Sequence, residues 1–485
     1  MLYGWDAGVL GGIEETHEFR AAIGNPQGAF TIPIIAAVYN LAAGVMSLLV
    51  ITFGMKLGRK NTIQLGNLLI CIGGLLQAST YSVAQIIVGR VVTGAGIGCI
   101  ASAVPTYMGE LSLEAKERGP EVSYQLALLI SGVALAYWVD LGFVQGLDAA
   151  PYLWRTPLAM QACFAIFSAT LLFFLPDSPR WYYAVGRIEE ADAVLARLHN
   201  LPVEHEAVQL QREEVLNSLK EEQGDSDSFN WWLLMWDNSE LQFGRRLRTS
   251  FLILFAQQFL AINMLVYYST QNFSQLGYSA LLSGILAGVM NTIFAIASYP
   301  PIWFIERLGR RPMMFWCALG CGVCMIIYVA LTTLDNPTSA TNWAAVVIII
   351  MHNVVFAFGW LGTCWIYGPE LSPLKYRHVA GALGAAGEWF STFIIVFGGG
   401  TGLGTVGPKI FIWPLLCCFI AAAYVWFCCP ETTGRTLEDI DALFAKPDRA
   451  DRIEHAAARR GSVSSSIKAN VQYHEKGDVT ATHKA

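Results

Sequence analysis

The chain has 485 residues, 54% hydrophobic and only 14% charged, with a formal net charge of −6 and a mean hydropathy of +0.45. Soluble domains carry about 25% charge, so this composition excludes an ordinary soluble protein and indicates a polytopic membrane protein. The acidic balance argues against nucleic acid as a partner, because a phosphate backbone calls for a basic surface.

In chain order, the first feature is an apolar start from Met1 to Gly12, followed by a polar run from Glu14 to Glu18. A dozen residues are too few to cross about 30 Å of hydrocarbon, so we read this as half of a first helix whose other half is absent from the sequence. Apolar stretches of spanning length follow near 31–53, 63–83, 85–106, 121–143 and 156–175, then near 249–271, 280–304, 312–334, 343–368, 379–402 and 408–428. They predict an all-α membrane protein with six spans in residues 1–175, a loop over 176–248, six spans in 249–429 and a tail from 430. Of the 31 Lys and Arg residues, 27 fall on the side holding the loops at 54–60, 110–118, 176–248, 306–311 and 370–377 and the tail. That side is expected to be cytoplasmic, with both termini on it. In the central loop, residues 187–199 and 204–222 alternate charged and apolar positions at helical spacing, predicting short amphipathic helices. Beyond about 447 little is left to bury, and disorder is expected, including around Ser462 and Ser466.

Three charged signatures occur twice, about 250 residues apart. Gly58-Arg59-Lys60 returns as Gly309-Arg310-Arg311, Glu110 with Arg118 returns as Glu370 with Arg377, and the turn from Pro176 to Arg180 returns as Pro430 to Arg435. A duplicated set of hydrophobic segments with the same charges at matching turns is the pattern of a two-halved secondary carrier. No G-x-x-x-x-G-K-[ST] motif is present, so ATP is not the expected driver. The eleven cysteines lie in or at the ends of spans; Cys321 and Cys324 have redox-motif spacing without ligand partners, and neither metal nor disulfide framework is expected. The sequon at Asn272 sits close to a helix end, which disfavours glycosylation. Nothing in the pattern suggests an enzyme or a cofactor.

Ionisable groups inside hydrocarbon cost several kcal/mol and normally face a cavity or a partner. Asp6 and Arg90 are two such charges and are expected to neutralise each other. Gln257, Gln258 and Asn263 offer amides over less than two helical turns; a straight helix cannot aim all three one way, but a broken one can. Amides donate and accept, which suits polyol hydroxyls. Tyr267, Asn291, Trp365 and Glu388 are further polar or aromatic groups in spans, and with the three amides they form the expected substrate site, to which the likeness described below adds Gln125.

These residues carry a family likeness. Gly58-Arg59-Lys60, Glu306 to Arg311, Pro105 to Glu110 with Arg118, Pro176 to Trp181, Gln257-Gln258 to Asn263, Trp365 with Glu370 and Arg377, and Pro430 to Glu438 stand in the order of the sugar porter family of the major facilitator superfamily. The chain resembles that family to about residue 444, most closely its fungal members. The resemblance implies a major facilitator fold of two six-helix bundles, pseudo-two-fold related, alternating about a central site in a multi-pass protein of the plasma membrane. It implies that Arg59, Glu110, Arg118, Glu306, Arg310, Glu370 and Arg377 latch the bundles together when the carrier faces outward. It also implies proton symport, since proton-coupled members have an acid at the position of Asp6 paired with the arginine at Arg90. Three positions depart from the pattern: Met55 where an Asp is usual, Leu126 where a glutamine reaches the sugar, and Glu388 where an Asn precedes the Trp. Glu388 would bind a hydroxyl, carry a second proton or reject acidic substrates. A non-transporting sugar sensor and an exporter of a small polar metabolite remain alternatives to uptake of a sugar or polyol.

Overall fold

A computed structural model describes residues 1–14, 16–111, 118–146, 152–223, 231–237, 239, 241–372, 377–434, 440, 443 and 444. The expected disordered tail beyond about 447 lies outside the described residues, as do the side chains of Met55, Arg118 and Arg377.

The first half opens with α1 (Leu2–Ile13) and the short α2 (His17–Ala22). Five long helices follow: α3 (Thr31–Leu57), α4 (Arg59–Ala78), α5 (Val83–Leu111), α6 (Arg118–Gly146) and α7 (Tyr152–Phe173). The central loop carries α8 (Pro179–Ala184), α9 (Ile188–His199) and α10 (Glu206–Gln223). In the second half α11 (Phe243–Gln258) is broken from α12 (Ile262–Tyr267) and α13 (Ser269–Gln275), and α14 (Ala280–Ala297) bends into α15 (Pro301–Leu308). Then come α16 (Arg310–Thr332), α17 (Ser339–Phe356), α18 (Thr363–Leu371), α19 (Arg377–Val406) and α20 (Ile412–Cys428). A π-helical turn over Ala357–Leu361 joins α17 to α18. Among the described residues nine helical stretches are long and apolar enough to cross a membrane, one of which, Val379–Cys428, contains both α19 and α20.

These helices form because they are apolar nearly all round, a pattern stable only in lipid or a large core. In lipid every backbone group must also be satisfied within its own segment. Phe167, Phe174, Ile296, Trp316, Ile420 and Phe427 are exposed on the surface, forming a belt suited to lipid.

Without a hydrophobic drive between helices, close backbone approach at small residues supplies the packing. A Cβ on Gly4 of α1 would lie 1.8 Å from the Leu129 carbonyl oxygen on α6, and one on Gly94 of α5 would lie 2.2 Å from that of Tyr39 on α3. The halves meet along matching pairs of helices. The α3 backbone at Gly44 approaches Trp389 of α19, and on α6 the Trp138 indole donates to Thr292 of α14 at 2.9 Å. In the central loop, Ala191 and Leu195 of α9 bury against Tyr183, Val208 and Leu219. Arg212 of α10 bonds Asp192 of α9 at 3.2 Å.

Candidate substrate and coupling site

The site starts from a helix that stops within the candidate span Phe243–Tyr267. After Gln258 the chain takes Ala261 through the left-handed region, φ +72, before resuming at Ile262. A residue with a Cβ occupies that region only at a cost of about 1 kcal/mol or more, and here the break sets three amides together. Gln257 donates to the carbonyls of Trp360 at 2.8 Å and Leu361 at 3.3 Å, both in the π-helical turn. Gln258 donates to Gln257 at 3.3 Å, and Asn263 donates to Gln258 at 2.5 Å and to the Thr392 hydroxyl of α19 at 3.3 Å. The break therefore does what a straight helix cannot.

Glu388 lies one helical turn before Thr392 on α19, hence on the same face. It is buried, and its Oε2 has no hydrogen-bond partner. Trp365 is partly buried against the same core. Asn291 of α14 is wholly buried but gives its amide to the Ala287 carbonyl of its own helix at 2.9 Å, leaving only its oxygen unpartnered. Gln125 of α6 is partly buried, with its side-chain oxygen unpartnered.

In the first half Arg90 donates to Asp6 at 3.1 Å, with both side chains fully buried. Its other nitrogens donate to the carbonyls of Ile35 and Ala36, each at 3.3 Å, and its guanidinium stacks over Tyr39 at 4.1 Å. The Tyr39 hydroxyl in turn hydrogen-bonds that of Tyr267 on α12. A continuous run of contacts, Asp6 to Arg90 to Tyr39 to Tyr267, thus crosses from the first half into the broken helix of the second. Trp389, next to Glu388, packs against Tyr3 at 5.2 Å and Tyr39 at 6.5 Å between ring centres.

The repeated charges sit on the face rich in Lys and Arg, and they build the same corner twice. Arg59 bonds Glu110 at 2.7 Å, and Arg310 bonds Glu370 at 2.8 Å and Glu306 at 2.5 Å. Ser178 donates to Glu110, as Thr432 does to Glu370 at 2.7 Å. Gly58 and Gly309, at φ +89 and +86, turn the chain so that the next two backbone N–H groups reach one carboxylate, Asp177 or Glu431. A Cβ there would meet that carboxylate at 2.4 or 2.8 Å, so the position needs glycine. The expected latch joins the bundles to each other, whereas these ion pairs all run within one half. Each arginine is held by an acid on a helix of its own half and by the turn that follows that half.

On the opposite face the halves are tied directly. Tyr137 of α6 donates to the Val266 carbonyl of α12 at 2.5 Å, and Thr270 of α13 donates to the Gly11 carbonyl of α1 at 3.1 Å. Sequence reading missed Tyr39, Asn40, Tyr137 and Thr392 as site residues. Asn40, fully buried with both side-chain atoms unpartnered, carried a usable signal as a polar residue in a span; the tyrosines within apolar runs carried none. The sequon residue Asn272 is buried and donates to the Met264 carbonyl at 3.2 Å.

The family profile described as "Sugar (and other) transporter" matches residues 1–444. The MFS-type transporter oryC of Aspergillus oryzae is 32% identical over 91% of this chain and 83% of its own length. The sugar transporter STL1 of Saccharomyces cerevisiae is 30% identical over 92% of this chain and 79% of its own. Among solved structures, the proton:xylose symporter XylE of E. coli superposes with a TM-score of 0.76 over 91% of this chain and 96% of its own, at 22% identity. That likeness gives the fold: an all-α major facilitator fold of two six-helix bundles.

Proposed function

Because the chain belongs to the sugar (and other) transporter family, we propose that it carries a sugar or polyol across a membrane by alternating access, driven inward by protons through Asp6 and Arg90. The observation that supports this reading is the buried run of contacts from Asp6 through Arg90 and Tyr39 to Tyr267, which joins a charge pair in one half to the amide-bearing broken helix in the other.

Gln257, Gln258, Asn263 and Trp365 hold the substrate, with Asn291 and Gln125 contributing acceptors. Substrate hydroxyls replace the amide-to-amide bonds that Gln258 makes with Gln257 and Asn263, so binding pulls on both sides of the helix break. A proton arriving at Asp6 cancels its charge and releases the arginine, whose remaining bonds are to two carbonyls and the Tyr39 ring. Tyr39 and Tyr267 then separate, and the halves rock to expose the site on the other face. The Lys- and Arg-rich face is cytoplasmic, with both termini on it, and the membrane is the plasma membrane. The names of the yeast relative and of the solved neighbour, a sugar transporter and a proton:xylose symporter, are in keeping with this reading.

The test is uptake of labelled hexoses, pentoses and polyols into transport-deficient cells, with and without a protonophore. Accumulation above the external concentration that collapses with the protonophore is expected. Binding without flux would make the protein a sensor, and release of preloaded compound without uptake would make it an exporter.

A further inference from the structure

Fixed charge at the depth of the substrate site is unevenly supplied. Among the described residues, the Asp, Glu, Lys, Arg and His side chains buried away from the Lys- and Arg-rich face are Asp6, Glu14, Arg90, Asp140, His352 and Glu388. Arg90 is spent on Asp6, two carbonyls and the Tyr39 ring. Among the described residues, α5 packs against α19 and carries Arg90, already engaged, and the other long helices packed there bring no cation in the sequence near Glu388. α12 has no charged residue, and α3 has only Lys56, at its far end. On α11, Arg245, Arg246 and Arg248 lie in the first two turns, where they donate to Gln242, Leu371 and Leu234. Glu370 of α18 is held by Arg310.

Glu388 itself is nine-tenths buried, with Oε2 unpartnered. It stands one turn from Thr392, to which the site's Asn263 donates. A substrate hydroxyl entering among these amides finds an acceptor there. A substrate carboxylate finds a second carboxyl, no cation, and amide donors already shared among themselves. In this low-dielectric site the two carboxyls cannot both stay ionised, so an acidic substrate is held only with uptake of a proton, a cost that grows with pH and selects against it.

We infer that Glu388 is a specificity-determining residue, which restricts the site to neutral polyhydroxy substrates and rejects their carboxylate-bearing analogues. This rests on the proposed substrate site but not on transport. The inference is tested by thermal stabilisation of the purified full-length protein, read at pH 9 with neutral hexoses, pentoses and cyclic polyols and with matched acids, glucuronate beside glucose and quinate beside inositol. The neutral compounds should bind at least about tenfold tighter than their acidic partners. In Glu388→Gln, which keeps shape and hydrogen-bonding capacity, that gap should close to within roughly threefold. Equal stabilisation of the wild type by an acid and its neutral partner overturns the inference, as does a gap unchanged in Glu388→Gln or no stabilisation by any neutral compound. A wild type that discriminates in binding but moves no label across the membrane refutes the transport reading alone.

Discussion

Asp177 and Glu431 occupy matching corners of the two halves, each receiving the first two backbone N–H groups of the helix after a left-handed glycine, yet they lie on opposite sides of the ordinary carboxylate range. Burial pushes Asp177 up, and N–H bonds from Ser178, Lys60 and Arg59 do not cancel it. Burial pushes Glu431 up as well, but the backbone and hydroxyl of Thr433 with the N–H groups of Arg310 and Arg311 outweigh it and hold the carboxyl low. Glu431 has more donors because Thr432 and Thr433 stand where the first half has Ser178 and Pro179, and proline has no N–H to give.

The two corners therefore respond oppositely to acid. A carboxyl held low when folded contributes stability that is complete above its ordinary value, 4.5 for Glu431, and is lost as pH falls through the folded value. A carboxyl held high, as at Asp177, contributes stability below its ordinary 3.8 that is lost as pH rises through the folded value. Glu431→Gln should lower stability at pH 7 by about 1 kcal/mol, discounted for partial exposure, with the deficit shrinking below pH 4.5. Asp177→Asn should cost less at pH 7. Thermal unfolding of the purified variants across pH reads both, and a Glu431→Gln deficit that does not vary with pH would count against this account.

Asp6→Asn removes the charge that Arg90 neutralises while keeping a hydrogen-bond acceptor in place. Accumulation of substrate against its gradient should disappear, and exchange of labelled for unlabelled substrate across the membrane should persist. Arg90→Ala should behave differently, because it leaves a buried carboxylate with no partner at a cost of roughly 3–5 kcal/mol. Low yield of folded protein is expected, partly restored by adding Asp6→Asn. Concentrative uptake by Asp6→Asn equal to wild type would sink the coupling role.

Much of this was legible in sequence, for a physical reason. In a chain only 14% charged, a repeated Gly-Arg pair or a recurring Glu stands out against apolar spans, so both halves and both corners could be located. The meeting of Gln257, Gln258 and Asn263 was legible only as a condition, since the break falls on Ala261, an alanine that no residue-type rule marks. The partners of Gln257 are carbonyls of a π-helical turn 103 and 104 residues away, and backbone groups leave no trace in residue identity. Sequence shows which charges recur but not which neighbour each one faces, so the pairing of Arg59 with Glu110 and of Arg310 with Glu306 and Glu370 is visible only in the fold.

Gly94→Ala tests the packing that positions this machinery. Its Cβ would sit 2.2 Å from the Tyr39 carbonyl oxygen and 2.9 Å from the Tyr39 Cα, backbone atoms that cannot rotate away. Forcing α3 from α5 should cost about 1–3 kcal/mol and displace the Tyr39 ring from Arg90. A fall in thermal stability together with lost concentrative uptake is expected. Unchanged stability would show that the two helices are less tightly seated than this contact requires.

Tyr137→Phe tests the closure on the face opposite the basic one. The hydroxyl donates to the Val266 carbonyl at 2.5 Å, directly beside Tyr267, and its loss leaves a buried acceptor on the broken helix unmet in the closed state but open to water once the halves part. A neutral hydrogen bond contributes about 1 kcal/mol, so the population open to that face should rise roughly fivefold. Gly11→Ala should act in the same direction by a different cause, since its Cβ would fall 2.0 Å from the Tyr137 hydroxyl and 2.7 Å from the Tyr267 carbonyl oxygen. A cysteine introduced at Asn263 in each background, labelled by a membrane-impermeant thiol reagent from that face, reports the opening against the rate of the same chain without the new cysteine. Faster labelling in both variants is the expected result. Unchanged labelling in Tyr137→Phe with faster labelling in Gly11→Ala would mean that shape, and not this hydrogen bond, holds the face shut.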